Sequence, residues 1–137
     1  MATILAHIQI HPGRELDFEH LVQDLFAVTQ LEEGNRHYEY WRGANPRLYY
    51  CLLAFDDFNA FIEHQTSDHH EESSPKLGEL IEDMRLEWVD PVEGASRLPA
   101  THSQPMPPAA DELTRRYHKL FAPTIQKWWD PLRLKSE

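Results

Sequence analysis

Histidines and carboxylates are concentrated in one short segment, residues 63–72 (Glu-His-Gln-Thr-Ser-Asp-His-His-Glu-Glu). Histidine titrates near neutral pH, so its imidazole can take up or release a proton under physiological conditions. Asp68 follows His64 by four residues and would orient that imidazole if the intervening turn is helical. His64 and His69 are therefore our candidates for a general base and a hydrogen-bond donor, and the alternative is an exposed polar loop.

The same segment bears on metal binding. Imidazoles and carboxylates are side chains that zinc uses as ligands. However, His64, His69 and His70 lack the three- or four-residue spacing that directs two helical side chains to one ion. We therefore expect no metal site. We expect no other cofactor, because the five glycines are scattered and no nucleotide loop, serine elbow or Cys-x-x-Cys motif is present.

Aromatic residues supply the surface that a flat ligand would need. Such side chains form either the wall of a pocket or part of a hydrophobic core. The candidate ligand-binding residues are Tyr40, Tyr50, Phe55, Phe61 and His70. By contrast, His7 and His37 lie in alternating strand patterns, which favours a structural role. Cys51 is the only cysteine and lies in an apolar run, which is typical of a small buried hydrophobe.

Strands and helices alternate along the first part of the chain. Residues 3–10 are rich in β-branched types and end at His-Pro-Gly, which predicts a strand and a turn. Apolar residues at helical spacing predict a helix over 14–32, with Gly34 as a candidate C-cap. Residues 36–42 and 48–55 flank a Gly-Ala-Asn-Pro turn and predict a hairpin.

Two helices and a last strand are expected after the hairpin. Asp56 or Asp57 can cap a short helix. Ser74 and Pro75 are typical of the start of a third helix, whose apolar stripe would consist of Leu77, Leu80, Ile81 and Met84. Residues 85–90 return to a strand-like pattern.

This order predicts an α+β fold of the ferredoxin-like kind, βαββ(αα)β, over residues 1–93. Four antiparallel strands would carry helices on one face. The other face would be uncovered, although it has large apolar residues available, namely Leu5, Trp41, Tyr49 and Trp88. Because such a face is unfavourable in water, we expect a second copy of the chain to cover it as a homodimer, sheet against sheet.

The remaining residues predict an appendage to this domain. Residues 94–108 are rich in proline and indicate an extended linker. Residues 109–137 indicate an amphipathic helical extension, which Pro123 should kink or restart. Its apolar stripe should pack on the same or the partner subunit, and consists of Leu113, Tyr117, Leu120, Phe121, Ile125 and Trp128.

Charge and hydropathy exclude some partners. The formal net charge is −10 over 137 residues, which disfavours nucleic acids and anionic membrane surfaces. The apolar runs are shorter than the roughly 20 residues of a membrane span, and the N-terminus lacks a signal-peptide pattern. We therefore expect a cytoplasmic protein without membrane contact.

Several motifs, taken in order, resemble the antibiotic-biosynthesis monooxygenase family. They are His-Pro-Gly-Arg-Glu at 11–15, Glu-Glu-Gly at 32–34, Arg-His-Tyr-Glu-Tyr at 36–40, Phe-Asp-Asp-Phe-Asn-Ala-Phe-Ile-Glu-His at 55–64 and Ser-Asp-His at 67–69. The resemblance covers about residues 2–92. It implies a dimer whose sheets pack face to face, with a pocket between sheet and helices in each subunit.

The resemblance also implies an activity. Characterised members oxidise phenols, anthrones or quinols to quinones without metal or flavin, cleave haem, or isomerise small keto compounds. His64 and His69 match histidines that often follow the family's third strand, and Tyr38 matches a tyrosine of its second. The implied function is a cofactor-independent monooxygenase for a small aromatic or quinonoid molecule, with these three residues as catalytic candidates.

Departures from the family pattern keep other functions open. Many members carry an acidic residue and a tryptophan near the end of the third strand, where this chain has Leu53 and Phe55. The residues of the haem-cleaving branch are also missing, so haem cleavage is not expected. An oxygen-independent isomerase, cyclase or lyase remains an alternative, as does a non-catalytic dimer that binds a small molecule.

Overall fold

Four strands and three helices make up the first 88 residues of the chain. The structure is a computed structural model and describes residues 1–133. Its elements are β1 (Ala2–Ile10), α1 (Glu15–Thr29), β2 (Asn35–Arg42), β3 (Leu48–Phe55), α2 (Phe58–Thr66), α3 (Asp68–Leu80), β4 (Ile81–Trp88), α4 (Glu112–Leu120), a 3-10 turn (Lys127–Trp129) and α5 (Asp130–Arg133). Among these residues no helix is long and apolar enough to cross a bilayer.

The sheet has the order β2-β3-β1-β4, and every neighbouring pair is antiparallel. Successive side chains of a strand point to opposite faces. In β1, residues 2, 4, 6, 8 and 10 are buried and face α1, α2 and α3. Residues 5, 7 and 9, which alternate with them, are half-buried. The α+β prediction of the ferredoxin-like kind is therefore confirmed.

The other side of the sheet, here called the open face, differs from the prediction in its residues. Tyr49 and Trp88 lie on the helix side, because they pair with Ile8 and Ile4 and directly opposed residues share a face. Tyr49 is buried against α1, and Trp88 packs on aromatic rings of α2. The large side chains of the open face are Leu5, Trp41, Tyr50 and Leu52.

The third helix begins earlier than predicted. Ser67 accepts a hydrogen bond from the backbone N–H of His70, so it caps α3, and Pro75 lies inside the helix. The segment 63–72 is consequently helical and is not a polar loop. Ile81 and Met84 belong to β4, where they pair with β1, so they are not part of the predicted helical stripe. A capped first turn outweighs the one backbone hydrogen bond that a proline removes.

Gly34 has a different role from the predicted helix cap. The helix α1 ends at Thr29, and a short turn follows it. A Cβ atom at Gly34 would lie 2.7 Å from Cβ of Ala60 in α2. Only glycine permits this approach, which brings the turn that carries Glu32 against α2.

The C-terminal segment packs on the helix side of the same chain. The helix α4 contacts α2, and Tyr117 and Phe121 pack against the core. Helical structure resumes at Lys127, the restart that Pro123 predicts. Leu120 and Trp128 are each 68% exposed, so the predicted single apolar face is wrong. The helix α4 ends at Leu120, and Trp128 lies in a separate helical element. Residues 134–137 of the predicted extension lie outside the described residues.

Candidate functional site

A cavity of about 390 Å³ lies between the helix side of the sheet and the helices. Its wall comes from all four strands, from α1, α2 and α3, and from α4 and the residue after it. The wall is mostly apolar and carries a few polar side chains. Volume and lining are those of a site for a small organic ligand.

His64 is the most deeply buried polar residue in this wall. It projects from α2, is 2% exposed and has its Nδ1 atom 2.9 Å and 3.0 Å from the carboxylate oxygens of Glu32. An ionised carboxylate only accepts hydrogen bonds, so Nδ1 carries the proton. In the neutral imidazole Nε2 then keeps its lone pair and is the basic atom.

Glu32 replaces Asp68 as the residue that orients His64. Asp68 is exposed in the first turn of α3, whereas Glu32 reaches His64 from the turn after α1. His69 Nε2 also lies 3.2 Å from Glu32 Oε2. One carboxylate therefore contacts two imidazoles, and of these three residues only His64 lines the cavity.

His70 differs from His64 because no carboxylate within residues 1–133 forms a hydrogen bond with its buried Nδ1 atom. Its Nδ1 atom is buried and has no hydrogen-bond partner within residues 1–133. Burial, with a smaller contribution from nearby His64, lowers the pKa of His70 to about 4. The side chain is therefore neutral at physiological pH and can offer a hydrogen bond to a ligand.

Two tyrosines and a thiol form the opposite wall. Tyr38 Oη lies 2.8 Å from Tyr40 Oη, and the ring of Tyr38 is 5.5 Å from that of His64. Burial raises the pKa of both phenols well above the usual range and raises the pKa of Cys51 to about 12. These groups therefore stay protonated and act as hydrogen-bond donors rather than as acids.

The structure brings together some of the sequence-predicted residues and separates others. Those in the cavity wall are Tyr38, Tyr40, Phe61, His64 and His70. Phe55 is fully buried behind the ring of His64, 5.1 Å between centroids, and His69 lies outside the lining. Tyr50 is on the open face beside His7, so the structure contradicts its place in the pocket: strand alternation directs its neighbours Tyr49 and Cys51 to the helix side.

Other residues of the site had no usable signal in the sequence. Glu32 lies 32 positions before His64, and no spacing rule connects a turn residue to a distant helix. Tyr117 of α4 donates a hydrogen bond to Glu71 at 2.6 Å and lines the cavity beside Phe121. Their helical spacing predicted that α4 would pack on a surface of the protein, and the structure shows that this surface includes the cavity.

Comparisons with known proteins match this fold and part of the chain. The model of the family described as antibiotic biosynthesis monooxygenase matches residues 1–75. A structure from Methanosarcina mazei Go1 is 26% identical, covers 64% of this chain and 89% of its own, and has a TM-score of 0.61. A Pseudomonas aeruginosa structure is 22% identical, with 64% and 90% covered and a TM-score of 0.61.

A third solved structure carries the family name. It is an antibiotic biosynthesis monooxygenase, 19% identical, that covers 67% of this chain and 99% of its own with a TM-score of 0.63. At such identities the likeness shows a shared fold. No curated protein matches the chain.

Proposed function

We propose that this chain, which belongs to the antibiotic biosynthesis monooxygenase family, is a cofactor-independent monooxygenase-type enzyme for a small aromatic or quinonoid compound. The observation that carries the proposal is the pairing of His64 with Glu32 behind a mostly apolar cavity. This pairing leaves the second nitrogen of a buried imidazole free to act as a base.

The reaction starts with proton transfer to His64. Nε2 takes a proton from a phenol hydroxyl or from the CH₂ group of an anthrone, and Glu32 stabilises the imidazolium that forms. The electron-rich anion then reduces dioxygen. One oxygen atom replaces the two hydrogens of the CH₂ group as a new carbonyl, and the second oxygen leaves with those hydrogens as water. Apolar walls keep bulk water away from the anion.

The remaining polar groups hold the substrate. Tyr38 and Tyr40 are protonated phenols, and because one hydroxyl donates to the other, the pair keeps one hydroxyl proton to donate to a developing oxyanion. His70 is a neutral imidazole that can pair with a second oxygen of the same ligand. Phe61 contributes an apolar edge to the cavity wall. His69 assists from outside the cavity, because it helps to hold the carboxylate of Glu32.

We further propose that the enzyme is a homodimer joined through the open face. Trp41 is 59% exposed there, and Leu5 and Leu52 are paired across neighbouring strands beside it. Exposed apolar side chains of this size on a sheet face favour a partner over water. The helix side, which carries the cavity, would stay outside that interface.

Turnover with and without oxygen tests the proposal. Wild-type protein is assayed with a panel of anthrones and hydroquinones in air and under anaerobic conditions, and the assay follows both quinone formation and oxygen uptake. We expect oxygen-dependent quinone formation that His64→Gln and Glu32→Gln greatly reduce, while the matched control His37→Gln retains it.

Three outcomes would contradict the proposal. Product formation without oxygen indicates an isomerase, cyclase or lyase that uses the same base. Undiminished turnover in His64→Gln removes the base from the mechanism. Saturable binding of the panel compounds without any product indicates a binding protein.

A further inference from the structure

We propose that Glu32, His64 and His69, which converge behind the cavity wall, bind a divalent transition-metal ion such as zinc, and that the bound ion switches off the base. Metal binding stands on the geometry alone, and the switching effect rests on the proposed function. The ion would act on the enzyme from outside the cavity and would not contact the substrate.

The ligand atoms are already close together. Glu32 lies 2.9 Å from His64 Nδ1 and 3.2 Å from His69 Nε2, and one ligand atom from each residue lies within 4.8 Å of the other two. Zinc bonds of about 2.0–2.1 Å place two tetrahedral ligands about 3.3 Å apart. The two contacts with Glu32 are therefore close to the ligand separations of a zinc site.

The three side chains also have suitable chemistry and access. Two imidazoles and a carboxylate are a common three-residue set for zinc, and they leave a fourth position for water. The side chain of His64 is 1% exposed, while those of Glu32 and His69 are 21% and 23% exposed. An ion can therefore enter from the surface and reach an almost fully buried ligand.

Other histidine–carboxylate pairs in the protein lack the third ligand. His7 contacts Glu87, and His37 contacts Glu39, on the open face of the sheet. Within residues 1–133 no other three side chains of the ligating types bring their atoms this close together. The break between α2 and α3 produces the convergence, because it turns His69 back toward the residue that contacts His64.

Metal binding would change the chemistry of His64. An ion on Nδ1 displaces the proton that Glu32 now accepts, and the neutral ring must then carry its proton on Nε2. Nε2 thereby changes from a base into a hydrogen-bond donor. Glu32 would at the same time be lost as the acceptor that stabilises an imidazolium. Both changes stop proton removal from a substrate in the cavity.

Direct binding measurements test the site. Untagged, chelator-treated protein is titrated with zinc by calorimetry and with Co²⁺ while its visible absorption is followed. We expect one high-affinity equivalent and the strong bands of a tetrahedral cobalt complex. Glu32→Gln and His69→Gln should weaken binding by at least about tenfold, and His37→Gln should not change it. Circular dichroism and melting curves verify that each variant is folded.

The binding results decide the site without reference to activity. Absence of a high-affinity equivalent overturns it, and so does binding that survives both Glu32→Gln and His69→Gln, because the ion then binds elsewhere among the nine histidines. A cobalt complex without the tetrahedral bands contradicts the three-ligand geometry.

Inhibition tests the switch separately. With any substrate that the panel identifies, zinc should inhibit wild-type protein at the concentration at which it binds, and EDTA should restore turnover. Inhibition of equal potency in His69→Gln overturns the switch. If zinc binds as expected but no panel compound is turned over, the metal site stands and the proposed function fails. If turnover occurs and zinc does not bind, the proposed function stands and the metal site fails.

Discussion

His37 and Glu39 on the open face lie closer together than His64 and Glu32 behind the cavity, at 2.6 Å against 2.9 Å. The closer pair is nevertheless the weaker candidate for chemistry. In the single subunit the side chains of His37 and Glu39 are 36% and 41% exposed, so water screens their interaction there. The ring of His64 is almost fully buried beside a cavity large enough for a small organic ligand. The same kind of contact is stronger there, because the surroundings have a low dielectric constant. Burial and a neighbouring cavity, not distance, distinguish a functional pair.

Replacing either His64 or His37 with glutamine should show the largest difference between the two histidine–carboxylate pairs. His64→Gln removes the basic nitrogen and should lower kcat by roughly 10²–10⁴-fold, the usual contribution of a general base. His37→Gln removes an equally close histidine and should leave kcat unchanged. Steady-state rates on an active panel compound make the comparison, and equal losses in the two variants would contradict it.

Aromatic residues on the two sides of the sheet should also differ in how their removal affects stability. Phe61 is 1% exposed and contacts rings on three sides, so Phe61→Ala should lower the free energy of unfolding by about 3–5 kcal/mol. Trp41→Ala on the open face should act only through subunit association. Urea denaturation at several protein concentrations separates the two effects, because a dimer's stability depends on concentration. An effect of Trp41→Ala that does not vary with concentration would contradict the proposed interface.

His70, the second histidine of the cavity wall, should make the stability of the protein depend on pH. Its pKa is about 4 in the folded protein, against 6.5 for an unperturbed histidine, so the unfolded chain binds more protons between these values. Stability should therefore fall as pH drops from about 6.5 toward 4, by about 1–3 kcal/mol from this group. His70→Gln should flatten that part of the curve in chemical denaturation across pH. An unchanged slope would show that the folded protein admits the charged imidazole.

Removal of the contact between Asp90 and the C-terminal segment should have the smallest effect on stability. Arg133 of α5 donates to the carboxylate of Asp90 and to the carbonyl of Thr101, and this contact lowers the pKa of Asp90. Asp90→Asn should cost about 1–2 kcal/mol above pH 5. A carboxyl group whose pKa is lowered by folding stabilises the protein at pH values above its unfolded pKa. This stabilisation is lost as the pH falls through its folded pKa. The difference between wild type and variant, measured by thermal melting, should therefore disappear in acid, whereas a constant difference would exclude this origin.

The order of strands and helices was predictable because it depends on local patterns. The period of two in β1 and β3 and the helical spacing in α1 reflect which face of each element is buried. These signals predicted the hairpin limits within one residue. The start of α3 was not predicted, since Ser67 and Ser74 are both good caps and only packing against α1 and α2 distinguishes them.

By itself the sequence determined the α+β order and the uncovered sheet face, and it singled out His64 as a candidate base, because hydrophobic periodicity and side-chain chemistry are properties of neighbouring residues. Only the tertiary structure decided that Glu32 supports His64, that Tyr50 faces away from the cavity and that α4 closes it. These facts depend on contacts between distant positions, such as the close approach of Gly34 to Ala60, which follow from packing of the whole chain.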